Sequence, residues 1–244
     1  MSAYLTDPEL AEVQTFVDNT KERLSKLGLT LNVDGDLANW VQHMRQAPGT
    51  LRIAATHDPS YSYVHPGNAF WAWFENQTGQ IIACIAHKVI VTDNLLDEVR
   101  SHRIFFNRRP ILKHYPVSLS VLEDVPRLSG HVGYTGGLRV HPEYRGQEIS
   151  GIITRVCRNL SVRHFCIDWN VGFIADTPSR KKMGLEVYGM AHSTPLLKGV
   201  FPLSGEKRNM QMFYMSKNEI LAQICAENHC GTTNGAGVTS GETP

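Results

Sequence analysis

The stretch of this sequence best suited to chemistry is a short loop that runs directly into an amphipathic helix. The pattern of residues 138–150 predicts a strand, then a tight loop with Arg145 and Gly146, then a helix from about Ile149. The first amides of a helix lack intrahelical acceptors, and the helix dipole favours negative charge there. Gly146 allows the chain to turn without a Cβ penalty, and Arg145 adds a charge-assisted contact. From the residues alone, a phosphate-binding loop and a plain strand–loop–helix connection both stay open.

The glycine and lysine pattern of a Walker-type loop or a dinucleotide fingerprint is absent from this stretch. The stretch does resemble motif A of the GNAT superfamily of acyltransferases, which reads Val-x-Pro-x-Tyr-Arg-Gly-x-Gly-Ile-Gly. The positions that match in register are Val140, Pro142, Tyr144, Arg145, Gly146 and Ile149. Glu148 replaces the usual glycine, and Ser150 replaces glycine or alanine. A glutamate that points inward would repel phosphates, whereas one that points outward would change only the loop geometry.

The resemblance implies that the co-substrate is acetyl-CoA or another acyl-CoA. It also implies that this strand splays from its neighbour, so that pantetheine pairs with the strand backbone while the pyrophosphate lies at the loop and first helical turn. A backbone N–H near Gly137 or Leu138 would polarise the thioester carbonyl. The cofactor-binding residues that follow are Leu138, Arg139, Val140, Arg145, Gly146, Gln147, Glu148, Ile149, Ser150 and Arg180.

The groups that would move protons depart from the family pattern. Many members carry a glutamate on the strand of the motif, but residues 134–140 contain no carboxylate. Asp176, after the next predicted strand, and Tyr134 are the candidates for the base that deprotonates the amine. Asp176 also suits a helix cap or first turn, and an unperturbed tyrosine has a pKa of about 10. Arg180 falls where many members carry the tyrosine that protonates the leaving thiolate; arginine would stabilise a thiolate electrostatically instead.

Helices and strands alternate around this stretch, with hairpins mixed in. Apolar spacing predicts one helix over 7–27 and another after Asp36, and paired glycines at 136 and 137 predict a bulge. The other predicted elements are strands at 29–33, 68–75, 80–91, 165–175, 186–190 and 209–215, and helices at 149–163 and 177–183. The pattern predicts an α/β fold whose mixed, largely antiparallel central sheet is flanked by helices, as the GNAT resemblance also implies.

Three segments follow from this organisation. Residues 1–50 are expected to form a helical segment that packs on an acyltransferase domain of residues 51–225. Residues 231–244 consist largely of Gly, Thr, Ser and Asn, and are expected to be disordered. No internal repeat is present.

Charge and hydropathy restrict the partners. The chain carries 24 Lys and Arg against 23 Asp and Glu, so overall charge does not favour nucleic acid or membrane. A local basic cluster could be a solvated helix face or an anion site; its members are Arg100, His102, Arg103, Arg108, Arg109, Lys113 and His114. No apolar run approaches the ~20 residues that span a bilayer, and the N-terminus lacks a signal-peptide pattern. We therefore expect a cytoplasmic protein with no membrane or nucleic-acid partner.

The cysteine pattern predicts neither a disulfide framework nor a metal site. The five cysteines are odd in number and scattered in spacing. Cys84 and His87 have a ligand-like spacing, but no second pair accompanies them. We expect reduced thiols, several of them buried as small apolar groups.

The function that these features favour is N-acyl transfer from acetyl-CoA or a longer acyl-CoA to an amine, on either a small molecule or a protein. Two alternatives stay open. Glu148 and Arg180 would suit a degenerate GNAT-like module that binds without catalysis. The basic cluster would suit a transferase whose donor is carried by a protein or a tRNA. Homodimer formation is compatible with the sequence and is not specified by it.

Overall fold

An eight-stranded mixed sheet forms the centre of the computed structural model, which describes residues 4–47, 53, 55–106, 118–121, 125–200 and 207–230. Its strands are β1 (Leu29–Asp34), β2 (Ala69–Asn76), β3 (Ile81–Thr92), β4 (Ser118–Val121), β5 (Gly130–Val140), β6 (Trp169–Ala175), β7 (His192–Val200) and β8 (Lys207–Ser216). They lie in the order β1-β2-β3-β5-β6-β8-β7-β4. Across the described residues, β5 and β6 are parallel and the other neighbours are antiparallel. The predicted mixed, largely antiparallel sheet is confirmed.

Helices flank this sheet, as predicted. The α-helices of the described residues are α1 (Asp7–Lys26), α2 (Leu37–Gln46), α3 (Leu95–Arg100), α4 (Ile149–Phe165), α5 (Pro178–Lys182) and α6 (Lys217–Cys230). None of them is both long enough and apolar enough to cross a bilayer.

Helix α1 begins where the sequence predicts, because Thr6 and Glu9 cap it reciprocally. The Glu9 amide donates to the Thr6 hydroxyl at 3.4 Å, and the Thr6 amide donates to the Glu9 carboxylate at 2.7 Å. This arrangement satisfies two amides that have no intrahelical acceptor. The stripe that includes Val13 and Val17 is buried, and it packs α1 against α4 and α6.

Alternation along β2 divides the core between the two faces of the sheet. Phe70 and Phe74 belong to the core beneath α1, α4 and α6. Trp71 and Trp73 lie on the opposite face, where their rings stack at 4.1 Å and pack with α2. Successive strand residues point to opposite faces, so this split follows directly from the sequence.

The structure corrects several predicted elements after residue 164. Helix α4 continues through Phe165 and ends at Cys166, whose φ is +48°, so β6 starts only at Trp169. The predicted strand at 186–190 is wrong, because Met183–Val187 form a π-helical turn that continues from α5. Strand β7 was not predicted, since Pro195 and Gly199 count against a strand; Pro195 is accommodated beside a register shift.

Part of the predicted basic cluster is accounted for by local ion pairs. Arg100 contacts Asp97 at 3.3 Å, and Arg103 contacts Glu98 at 2.8 Å. These two arginines therefore form ion pairs with acidic residues of α3. Arg108, Arg109, Lys113 and His114 lie outside the described residues, as does the tail at 231–244.

Candidate functional site

A cleft opens where the two parallel strands of the sheet diverge. Strands β5 and β6 pair only at Val132 with Trp169, Gly133 with Asn170 and Tyr134 with Val171. Both strands then continue, β5 to Val140 and β6 to Ala175, without further pairing to each other. Strand edges without a partner expose N–H and C=O groups that an extended ligand can use. The divergence therefore creates a backbone-lined slot inside the sheet.

The slot contains a cavity of about 200 Å³. Residues 135–138 of β5 and residues 172–174 of β6 line its two sides. Thr154 of α4 lines it as well, and Arg180 and Tyr188 lie on the wall after β6. The cavity thus combines strand backbone, an apolar interior and a few polar groups, as binding sites for small molecules commonly do.

A buried hydrogen-bond chain holds the two strands together at the root of the cleft. The Thr135 hydroxyl donates to the Asn170 side chain at 2.9 Å. His87 Nδ1 lies 3.0 Å from the same hydroxyl, so His87 donates to it. Cys84 and His87, which have a ligand-like spacing in the sequence, lie on opposite faces of the sheet, because the Cys84 thiol faces Met44.

The bulge predicted from the paired glycines is present in β5. The register with β3 shifts between Cys84 and Ala86, where Gly136 pairs with Ala86 and Arg139 with Cys84. Gly137 has a φ of +65°, and a Cβ added there would collide with the Trp40 ring. Glycine at 137 is therefore required both by the backbone and by the ring that covers it.

The first turn of α4 offers backbone donors beside this cleft. Within the described part of the chain, the amides of residues 146–150 have no hydrogen-bond acceptor. The amides of Gly151 and Ile152 bond the Glu148 carbonyl at 2.9 and 3.1 Å. Glu148 has a φ of +59° and makes no side-chain cap. A helix N-terminus left open in this way can bind an anion.

Glu148 is turned away from those amides. Its carboxylate forms an ion pair with Arg23 of α1 at 2.9 Å, and both side chains are more than half exposed. An exposed pair of this kind stabilises the fold by at most about 1 kcal/mol. Its main effect is electrostatic, since it places a positive partner on the carboxylate that directly precedes α4.

Arg145 and Gly146 lie on the loop between β5 and α4. The exposed Arg145 side chain donates from Nε to the Val140 carbonyl at 3.4 Å, which keeps it beside the last residue of β5. Gly146 has a φ of +83°, and a Cβ placed on it would meet no atom within 4 Å. The space over the loop is therefore open, and the glycine is needed for its backbone angle.

The two candidate bases lie in different surroundings. Asp176 is exposed directly after β6, and its amide donates to the Asn209 carbonyl at 2.8 Å; the cap of α5 is Thr177. Tyr134 is buried on the sheet face opposite α4, where it stacks on His57 at 5.4 Å. Burial raises the pKa of Tyr134, which disfavours ionisation of its hydroxyl at neutral pH.

Tyr188 is a cavity-lining residue that the sequence analysis did not identify. It lines the cavity together with Arg180, and its hydroxyl lies 3.0 Å from the Met183 sulfur. Burial raises the pKa of Tyr188, and the nearby Arg180 opposes that change. The residue was assigned to a strand, and only the helical turn at Met183–Val187 brings it to the cavity.

Arg158 fixes the backbone beside Tyr188. Its buried guanidinium donates to the Tyr188 carbonyl at 3.1 Å and to the Gln223 side chain of α6 at 2.7 Å. Burial lowers the pKa of Arg158 to about 10, so the group stays charged at neutral pH. The wall of the cavity is thus linked to both α4 and α6.

His57 is a second residue that the sequence analysis missed. It is fully buried on the sheet face opposite α4, where it stacks on Tyr134. A Cβ added at Gly136 would lie 2.9 Å from its ring. Its Nε2 lies 3.3 Å from the Tyr134 carbonyl, while Nδ1 has no partner among the described residues. Burial, together with the nearby charge of Lys88, lowers the pKa of His57 to about 3. The ring is therefore neutral and helps Trp40 to seal that face of β5.

We expect stability to fall as the pH is lowered below about 6.5. Burial holds the pKa values of both His57 and His87 at about 3 in the folded protein, so near pH 6 only the unfolded chain binds these protons. The free energy of unfolding should drop by up to about 1.4 kcal/mol per pH unit for each histidine. Urea unfolding between pH 7 and 5.5 measures this change in the free energy of unfolding, because most carboxylates stay ionised in that range.

The matching variant is His57→Phe, which should remove part of that slope. A free energy of unfolding that stays constant over this pH range would contradict the buried, neutral state of the two histidines.

Comparisons with known proteins find similarity of structure but no similarity of sequence. The sequence matches no protein-family model, and no curated protein matches it. The structure is similar to Arabidopsis thaliana NAA60 in complex with acetyl-CoA (12% identity, TM-score 0.47, 78% of this chain and 99% of that one). It is also similar to a variant of the spermidine N-acetyltransferase SpeG from Vibrio cholerae (11%, 0.46, 80% and 98%). A third likeness is to an acetyltransferase of the GNAT family from Streptococcus pneumoniae (7%, 0.40, 77% and 99%). At these identities and TM-scores, membership of a family is not established.

Proposed function

We propose that this chain is an N-acyltransferase that moves an acetyl or longer acyl group from acyl-CoA to an amine. One observation carries the proposal: the free edge of β5, which lines the slot, leads through a single loop into the open amides that begin α4. An extended thioester ligand can pair with the free edge of β5 while its diphosphate accepts hydrogen bonds from the helix N-terminus.

The residues at the loop fit a diphosphate. The space over Gly146 is open, and the Glu148 carboxylate is directed to Arg23. Arg145 stands at the end of β5, within a residue of the open amides. The proposed ligand contacts are the backbone of Leu138, Arg139 and Val140 for pantetheine, the amides of Gly146, Gln147, Glu148, Ile149 and Ser150 for pyrophosphate, and the side chains of Arg145 and Arg180.

Direct transfer accounts for all atoms without a covalent enzyme intermediate. Bound acyl-CoA supplies an activated thioester; the amine nitrogen forms a bond to its carbonyl carbon, and the carbon–sulfur bond breaks. Backbone N–H groups at the bulge of residues 137–138 stabilise negative charge on the carbonyl oxygen. The Tyr188 hydroxyl donates a proton to the leaving sulfur, and the Arg180 cation beside it favours the developing charge.

The proton that leaves the amine needs an acceptor. Asp176 is the better of the two predicted candidates, because it is exposed directly after β6, where the two strands have diverged. Tyr134 is the weaker one, because burial raises its pKa. Positioning of the two reactants in the slot would supply much of the rate enhancement.

Binding and turnover can be tested separately on the full chain. Acetyl-CoA, longer acyl-CoAs and free CoA are compared by thermal shift, and release of free thiol is then followed with small-molecule and peptide amines. A ligand at a hundredfold excess over its Kd should stabilise the protein by about 2.7 kcal/mol. Stabilisation with thiol release supports the proposal. Stabilisation without release from any amine indicates a binding module, and no stabilisation by any of these compounds removes the proposal.

Arg23→Ala should weaken acyl-CoA binding several-fold, although Arg23 lies on α1 and not on the loop that precedes α4. The change leaves the Glu148 carboxylate without its ion pair beside the proposed diphosphate. Repulsion between two unit charges about 4 Å apart in water is about 1 kcal/mol. Adding Glu148→Gln to that variant should restore the affinity, as measured by calorimetry.

Lys26→Ala is the matched control, because Lys26 is another exposed cation of α1 and pairs with Glu22 at 2.8 Å. Equal loss of affinity in the Arg23 and Lys26 variants would show a general charge effect and would refute a specific role of the pair.

A further inference from the structure

A second group of ligand-type side chains lies on the helices that cover the sheet. Glu12 is on α1, and Cys225 and His229 are on α6. One ligand atom from each lies within 4.8 Å of the others. Cys225 and His229 are four residues apart, so the helix places them on the same face. The two helices pack against each other, which brings Glu12 to that face.

We propose that these three side chains bind a divalent zinc-type metal ion between α1 and α6. Thiolate, imidazole and carboxylate are the ligands that Zn²⁺ takes in proteins, at about 2.0–2.3 Å. Ligand atoms around such an ion lie roughly 3.3–3.8 Å apart in a tetrahedron, so small side-chain rotations close the present spacing. Magnesium and calcium prefer all-oxygen sites and do not suit a thiolate.

The carboxylate of this set is already oriented toward α6. Asn228, a buried residue, donates from Nδ2 to the Glu12 carboxylate at 2.7 Å and to the Glu12 carbonyl at 3.0 Å. Neighbouring hydrogen bonds of this kind hold a metal ligand in its binding orientation. The other carboxylate oxygen can then face Cys225 and His229.

The site is exposed, and it leaves one coordination position open. Cys225 and His229 are exposed, so a metal ion can reach them from solution in the folded protein. Three protein ligands leave a fourth position for water or another donor. A bound ion would link the first and the last helix of the described chain, and it would stabilise the folded state by mass action.

The test uses the full reduced chain, freed of metal by a chelator, with Zn²⁺ alone as the probe. We expect one ion per chain in competition with a chromophoric chelator and a higher Tm with zinc. Co²⁺ in place of Zn²⁺ should give the visible spectrum of a thiolate-bound tetrahedral ion. Cys225→Ser, His229→Ala and Glu12→Gln should each weaken zinc binding at least tenfold, with unchanged circular dichroism.

Two matched variants keep the test specific. Glu227→Gln removes a carboxylate from the same helix, and Cys166→Ser removes a cysteine thiol that lies outside the proposed site. Both should bind zinc with the affinity of the wild type. Zinc binding that survives Cys225→Ser, or that is lost equally in the two control variants, would overturn the proposal, as would a full chain that binds no zinc.

Discussion

Replacing Tyr188 by phenylalanine is expected to lower kcat by roughly 10²- to 10⁴-fold, the usual contribution of a positioned general acid. The change removes only a hydroxyl, which lies in the cavity wall and contacts the Met183 sulfur. Because the aromatic ring stays, the affinity for acyl-CoA should not change. A steady-state assay of thiol release, together with calorimetric binding, separates the two effects.

The pH dependence distinguishes an acid from a packing residue. Burial raises the pKa of Tyr188, so its hydroxyl is protonated throughout the neutral range. The hydroxyl loses its proton only at a pH above the ordinary tyrosine pKa of about 10. The wild-type kcat should therefore fall on the alkaline side, and Tyr188→Phe should lack this fall. Tyr214→Phe, at a half-buried tyrosine that stacks on His192, should keep the wild-type rate. A Tyr188→Phe protein with normal kcat would assign the proton to another donor.

Gly146→Val should lower acyl-CoA affinity at least tenfold while the protein stays folded. A Cβ at this position meets no neighbour within 4 Å, but the φ of +83° is strained for valine by roughly 1–2 kcal/mol. Relief of that strain turns the loop and moves the open amides of α4 out of line. Losing even one charge-assisted hydrogen bond costs about 1.5–3 kcal/mol, which is tenfold or more in affinity.

The chain contains a closely matched control for this strain. Gly79, in the turn between β2 and β3, has a φ of +80° and also has open space around its Cβ position. Gly79→Val should therefore destabilise the protein by a similar amount and leave acyl-CoA affinity unchanged. If both variants bind as the wild type does, the loop does not hold the diphosphate.

The parts of the fold that depend on short-range patterns could be predicted from the sequence. The capped helix α1, the hairpin of β2 and β3 and the bulge at Gly137 each have a local cause, namely a capping pair, a turn or a residue with positive φ. The start of α4 at Ile149 was also predicted, and with it the open amides. These features contain most of the proposed diphosphate site.

What could not be predicted depends on long-range contacts. The strand β7 contains Pro195, which is tolerated only because a register shift with β8 accommodates it. Tyr188 reaches the cavity through a π-helical turn, and His57 reaches Gly136 from a 3-10 helical turn; neither residue has a signal in its neighbouring sequence. The orientation of Glu148 depended on Arg23, which lies far away along the chain.

The buried cation Arg158 makes the proposed site depend on residues that a bound ligand would not touch. Arg158 bonds both the Tyr188 carbonyl and Gln223, and no residue of α6 lines the cavity. Divergence at Gln223 among descendants of this chain would therefore shift the proposed acid and alter turnover, even if every cavity residue were identical. Catalytic competence in such a lineage cannot be judged from the ligand-facing side chains alone.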